Sequence, residues 1–184
     1  MYVYTLFSLP SISMMEGHEE YFDDQFPIGY RFMPTDEELV THYLTNKVCR
    51  NPVPPSAFQE IRSTELYRKP PKSSVQYSSG EREWFFFIHQ DGNFEEQNKA
   101  IRIVEDGRGF WRTNGEKPLF DTKGNVLAFK THLMYFSGCL SNAKKTHWRM
   151  DEYRLPIQFY AQHNSKEQWA VGRLRRGREY NLGF

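Results

Sequence analysis

Residues 26–44 read Phe26-Pro27-Ile28-Gly29-Tyr30-Arg31-Phe32-Met33-Pro34-Thr35-Asp36-Glu37-Glu38-Leu39-Val40-Thr41-His42-Tyr43-Leu44. Tyr30-Arg31-Phe32 is strand-like, and Pro34 breaks it. Thr35 then has the features of a helix N-cap, with Glu38 at the capping-box spacing. Asp36, Glu37 and Glu38 meet the positive end of the helix dipole. Leu39, Val40, Tyr43, Leu44 and Val48 recur at helical spacing on one face. The pattern predicts a helix from Asp36 to about Cys49, ended by Asn51-Pro52-Val53-Pro54-Pro55.

Outward from this helix, the chain reads mostly as strands. Ser56 and Gln59 form a weaker capping box, which predicts a short second helix. Glu65-Leu66-Tyr67 is strand-like, and 73–80 reads as a loop. Trp84-Phe85-Phe86-Phe87-Ile88 is an apolar run of strand length, expected to be buried on both faces. Asp91-Gly92-Asn93 and Lys123-Gly124-Asn125 are turns, the second within a hairpin. Val126 to Phe136 is one long strand or two bent ones, with Leu127, Phe129, Thr131, Leu133 and Tyr135 on one face. A polar loop over 138–146 precedes a strand from His147 to Leu155 that sets Trp148 and Met150 on one face. Trp169 to Leu174 is the last strand, and Arg175-Arg176-Gly177-Arg178 is a frayed basic tail. Strands joined by turns, with helices set apart from them, predict an α+β fold: a twisted antiparallel sheet flanked by a few helices.

Composition agrees. The chain has 184 residues, enough for one substantial core, and its 16% aromatic content favours a sheet over a helical bundle. No apolar run is long enough to cross a bilayer as a helix, so no membrane partner is expected. Residues 1–15 are uncharged and lack the basic start of a signal peptide. Residues 1–22 read as a disordered N-terminal extension, and Met14 and Met15, just before the acidic stretch, offer an alternative start. Cys49 and Cys139 are far apart, which excludes a disulfide framework. The six histidines show no metal-ligand spacing; no metal or cofactor is expected, and no nucleophile or phosphate-loop motif points to an enzyme.

Net charge is +1, but it is unevenly spread. Residues 16–38 hold eight acidic groups against Arg31 alone, a balance of −7, which leaves +8 for 39–184. An acidic edge on a basic remainder is one footprint of a phosphate-binding face, and is also common among soluble domains.

The opening stretch resembles the first block of the plant NAC transcription-factor domain, L-P-P-G-F-R-F-x-P-T-D-E-E-L-V-x-x-Y-L. Further blocks follow in order across about 26–178. Glu65-Leu66-Tyr67 resembles D-L-Y, and Gly80 to Phe87 resembles G-E-K-E-W-Y-F-F. Gly109-Phe110-Trp111-Arg112-Thr113-Asn114-Gly115 stands where the family has G-Y-W-K-A-T-G. Lys130 to Gly138 resembles K-K-A-L-V-F-Y-x-G, and Lys145 to Leu155 resembles K-T-x-W-x-M-H-E-Y-R-L. Trp169 to Leu174 resembles the closing W-V-L-C-R-I.

The resemblance implies a nuclear regulator of transcription, with 23–178 as a DNA-binding and dimerisation domain and 179–184 as a short tail. The family inserts the strand around W-K-A-T-G into the DNA major groove. It therefore implies duplex DNA contacts by Lys99, Arg102, Phe110, Trp111, Arg112, Thr113, Asn114, Lys130, Lys144 and Lys145, with the segment centred on Trp111 protruding as a cationic ridge. Trp111 is also suited to brace that strand from inside. It further implies a homodimer, or a heterodimer with other NAC proteins, through Phe26, Pro27, Gly29, Tyr30, Arg31 and Glu38. Glu38 has a local role as well, closing the capping box. Arg112 keeps the charge of the family's lysine and adds a fork suited to guanine. Elsewhere the basic set thins: Asn93 stands at a basic position, and Glu95, Glu96, Glu105 and Asp106 add negative charge. This departure supports a second reading, a DNA-weak module that heterodimerises with full-length NAC proteins. Little follows residue 178 here, where many family members carry an activation tail.

Overall fold

The computed structural model describes residues 32–53, 57–75, 82–91, 100–163, 165 and 167–177. The quoted stretch behaves as its chemistry dictates. The Thr35 N–H donates to Glu38 Oε2 at 2.8 Å, and the Glu38 N–H donates to Thr35 Oγ1 at 3.1 Å. The helix that follows (α1) is α-helical over Asp36–Glu38, π-helical over Leu39–Leu44 and α-helical again over Thr45–Val48. It ends at Cys49, as predicted.

Seven strands form one sheet: β1 (Gln59–Arg62), β2 (Glu83–His89), β3 (Ile101–Ile103), β4 (Gly109–Phe120), β5 (Val126–Ser137), β6 (Lys144–Arg154) and β7 (Trp169–Arg176). Their order across the sheet is β1-β2-β7-β6-β5-β4-β3. The α+β class holds, but the sheet is mixed: β1 runs parallel to β2, and the other pairs are antiparallel. Two short helices complete the described elements, α2 (Ser63–Arg68) and α3 (Ile157–Gln162), with 3-10 turns at Pro71–Ser74 and Leu140–Asn142.

Alternation along β2 explains its unbroken apolar run. Phe85 and Phe87 join Leu39, Val40, Leu44, Val48, Tyr153 and Val171 under α1, on one face of the sheet. Phe86 and Ile88 join Leu66, Tyr67, Trp111, Leu133, Met150 and Leu174 on the other. Burying each such side chain contributes about 1.5–3 kcal/mol, so the sheet is held by two separate apolar layers. Trp148 and Met150 share the second layer, as alternation requires.

Four local expectations are corrected. Gln59 does not open a helix; it begins strand β1. Glu65-Leu66-Tyr67 is helical, because Asp91 Oδ1 accepts hydrogen bonds from the Ser63 hydroxyl and the Thr64 N–H and so ties down the first turn of α2. The loop after Gly138 is shorter than expected, since β6 starts at Lys144. Arg175 and Arg176 are not a frayed tail; they continue β7, with Arg175 facing Glu83 on one side and Arg149 on the other. The Asp91-Gly92-Asn93 turn lies largely outside the described residues, as does the loop after Val75.

Candidate nucleic-acid interface

The segment Gly109–Gly115 lies on β4, paired on one side with β5 and, through Phe110–Arg112, on the other side with β3. The Thr113 N–H donates to the Ala100 carbonyl at 2.8 Å, and beyond it β4 pairs, among the described residues, with β5 alone. At that point the register breaks. Thr113 pairs with Leu133 and Glu116 with Thr131, so Asn114 and Gly115 both stand opposite His132. This is a β-bulge, and Gly115 adopts the left-handed φ of 90° that makes it possible. Arg112 and Asn114 are exposed there, and Thr113 is half-buried.

The aromatic half of the segment points inward. Trp111 is 0% exposed, edge-on to Tyr67 at 6.0 Å and tilted against Tyr135 at 5.3 Å. Phe110 is buried and stacks on Phe136 at 5.2 Å. Trp111 itself does not protrude; the exposed side chains just beyond it on the strand are Arg112 and Asn114. Phe110 and Trp111 lie beneath them in the core.

Two of the expected phosphate ligands are engaged inside the fold. Lys130 Nζ lies 2.5 Å from Asp36 Oδ2 and 3.6 Å from Asp151 Oδ2, with its side chain only 13% exposed. Arg102 lies over the Tyr67 ring at 4.0 Å and 3.8 Å from the buried Glu152 carboxylate. Glu152 also accepts a hydrogen bond from the Tyr67 hydroxyl. Burial, reinforced by the Glu152 charge, pushes that hydroxyl well above the ordinary tyrosine range. Lys144 and Lys145 are exposed at the start of β6. Lys99 lies outside the described residues, as do Phe26, Pro27, Gly29, Tyr30 and Arg31. Glu38 is described and spends Oε2 on its own cap.

Asp36 and Asp151 anchor an ionic network beneath the start of α1. Asp36 Oδ1 accepts from the Tyr153 hydroxyl at 2.7 Å and from Arg173 at 2.6 Å. Burial alone would raise the Asp36 carboxyl. Hydrogen bonds from Lys130 and Tyr153, with the charges of Lys130 and Arg173, outweigh it and hold the group below its ordinary value. Asp151, 1% exposed, is met by Arg175, by Arg173 at 3.4 Å and by His132 Nδ1 at 2.6 Å. The motifs quoted above have Ala at position 132 and His at position 151. Here the pair facing each other across β5 and β6 is His132 and Asp151. Arg175 and His132 answer the carboxylate that this exchange introduces.

Nearby negative charge is partly neutralised. Glu116, just past the bulge, takes Arg154 at 2.5 Å and the Thr131 hydroxyl at 3.2 Å. Glu105 and Asp106 remain exposed in the turn before β4. Arg149 is a further exposed cation on this side of the sheet. Sequence reading passed over it, although its place between Trp148 and Met150 on a strand directs it to the opposite face from theirs.

These features define a class: a curled α+β module whose sheet carries a bulged strand with an exposed arginine, braced by a buried tryptophan. Residues 27–155 match the family model described as No apical meristem (NAM) protein. Relatives include NAC domain-containing protein 68 of Oryza sativa subsp. japonica, 35% identical over 156 residues, covering 80% of this chain and 48% of that protein. NAC transcription factor 32 of Arabidopsis thaliana is 38% identical over 135 residues, covering 72% of this chain and 51% of that protein. NAC transcription factor 25 of Arabidopsis thaliana is 37% identical over 131 residues, covering 70% and 39%. The chain belongs to the NAC domain (NAM) family. Its match spans about half or less of the length of these curated relatives.

Proposed function

We propose that this chain is a sequence-specific duplex DNA-binding domain that regulates transcription in the nucleus as a dimer. Residues 23–178 form the working unit. The observation that carries the reading is the bulge of β4, where Arg112 and Asn114 stand exposed while Glu116 is occupied by Arg154. A strand with one arginine fork fits a major groove, in which the fork recognises guanine O6 and N7. Thr113 and Asn114 add to the base contacts, and Lys144 and Lys145 hold phosphates, which position without specifying. The relatives named as transcription factors support this assignment. No catalytic step is assigned to the chain.

A binding selection on random duplexes, repeated across a salt titration, tests the reading. A selected motif that loses about 1–3 kcal/mol of preference in Arg112→Ala supports it. Binding with no preference over random duplex refutes it. The internal engagement of Lys130 and Arg102 favours one alternative, a DNA-weak module that heterodimerises with full-length NAC proteins. Co-sedimentation with such a protein, without DNA retention, marks that alternative.

A further inference from the structure

The cross-strand register places Arg112 on β4, Met134 on β5, Arg149 on β6 and Arg175 on β7 in one row, with Glu83 of β2 at its far end. Directly paired residues of antiparallel strands share a face, so the three arginines point the same way. Their situations differ. Arg175 is bound to Asp151. Arg112 and Arg149 are exposed and meet no carboxylate among the described residues. In the neighbouring row of the same face Lys145 pairs across from Phe136, and it too is exposed. Two acidic groups of this face are already taken, Asp36 and Asp151, by Lys130, Arg173, Arg175 and His132, while Glu83 lies three strands from Arg112's neighbour Met134.

Two strand spacings separate Arg112 from Arg149, or about 10 Å. A major groove is about 8.5 Å deep. A side chain about 10 Å behind a tip seated in the groove therefore stands level with the phosphate wall and not with the bases. We propose that Arg149 is a phosphate-contacting residue of the DNA interface, a second clamp on the sheet face behind the reading strand. The inference rests on the proposed function. The family motif W-x-M leaves this position open, so the clamp is a property of this chain's own sequence. A planar guanidinium with free donors suits a phosphate.

The test uses the full chain, with Arg149→Ala, Arg149→Lys and, as a distant surface control, Lys72→Ala. Binding to the selected duplex and to a scrambled duplex is followed by fluorescence anisotropy between 50 and 200 mM salt. Losing one phosphate contact lowers the log–log salt slope by about 0.9. Over that fourfold salt range the affinity loss of Arg149→Ala is then about 3.5-fold smaller than that of the unaltered chain. The weakening is equal on both duplexes, Arg149→Lys restores the slope, and Lys72→Ala leaves it alone. An unchanged slope in Arg149→Ala, with Arg112→Ala still impaired, overturns the clamp and leaves the proposed function standing. Weakening confined to the selected duplex also overturns it, since that is base readout. No binding by the unaltered chain refutes both readings together.

Discussion

Lys130→Ala separates a structural lysine from a phosphate ligand. The sequence motif places Lys130 with the DNA contacts, whereas its Nζ lies between Asp36 and Asp151 and its side chain is nearly closed to solvent. Removing one partner of a buried ion pair costs about 3–5 kcal/mol when the remaining charge is left uncompensated. Here compensation is partial: Arg173 stays 2.6 Å from Asp36, and Arg175 stays on Asp151. The expected cost is therefore lower, about 2–3 kcal/mol. For a domain of this size that lowers the melting midpoint by about 4–12 °C. Urea or thermal unfolding measures the loss, and a salt-titrated DNA binding curve runs beside it. The expected pair of results is a lower midpoint and an unchanged salt slope. An unchanged midpoint with a slope reduced by about one unit refutes the reasoning, because Lys130 would then be spending its charge on phosphate.

Acid should unfold the same network. Asp36 and Asp91 are both held below their ordinary values, so each contributes stability that is complete above the unfolded carboxylate value of about 3.9 and is lost as pH falls through the folded one. Asp36→Asn should lower stability at neutral pH and flatten the acid limb, read by urea midpoints between about pH 2 and 7. Gly115→Ala meets open space but forces a side chain into a left-handed backbone. It should cost about 1–3 kcal/mol and weaken DNA binding by shifting Asn114 out of place, and wild-type affinity at reduced stability would detach the bulge from function. Arg31→Glu should lower the mass seen in sedimentation; an unchanged dimer would remove that residue from the interface.

Signals confined to a few neighbouring residues were legible. The Thr35–Glu38 box, the aromatic run of β2 and the Asp121–Asn125 turn each carry their cause within a short window. The misread elements have causes elsewhere in the chain. α2 is started by Asp91, 27 residues beyond Thr64, and β1 exists because β2 supplies a parallel partner. The site divides along the same line. Arg112 was reached through the W-K-A-T-G resemblance, and its exposure is seen only in the structure. The engagement of Lys130 by Asp36, 94 residues earlier, and of Arg102 by Glu152 is invisible in a motif, because a motif records a cation and not the carboxylate that reaches it. Trp111 illustrates both halves: its strand was readable, and its inward side followed only from Tyr67 and Tyr135 arriving from distant segments.

The outermost strands of the sheet, β1 and β3, are four and three residues long, and three of the four in β1 are exposed polar or charged groups: Gln59, Glu60 and Arg62. Short margins template strand addition poorly, and charge on β1 adds to this. The kink at Asn114-Gly115 bends β4 out of line with any flat incoming chain. Margins so short and a strand so bent give a second copy of the chain little to extend the sheet upon.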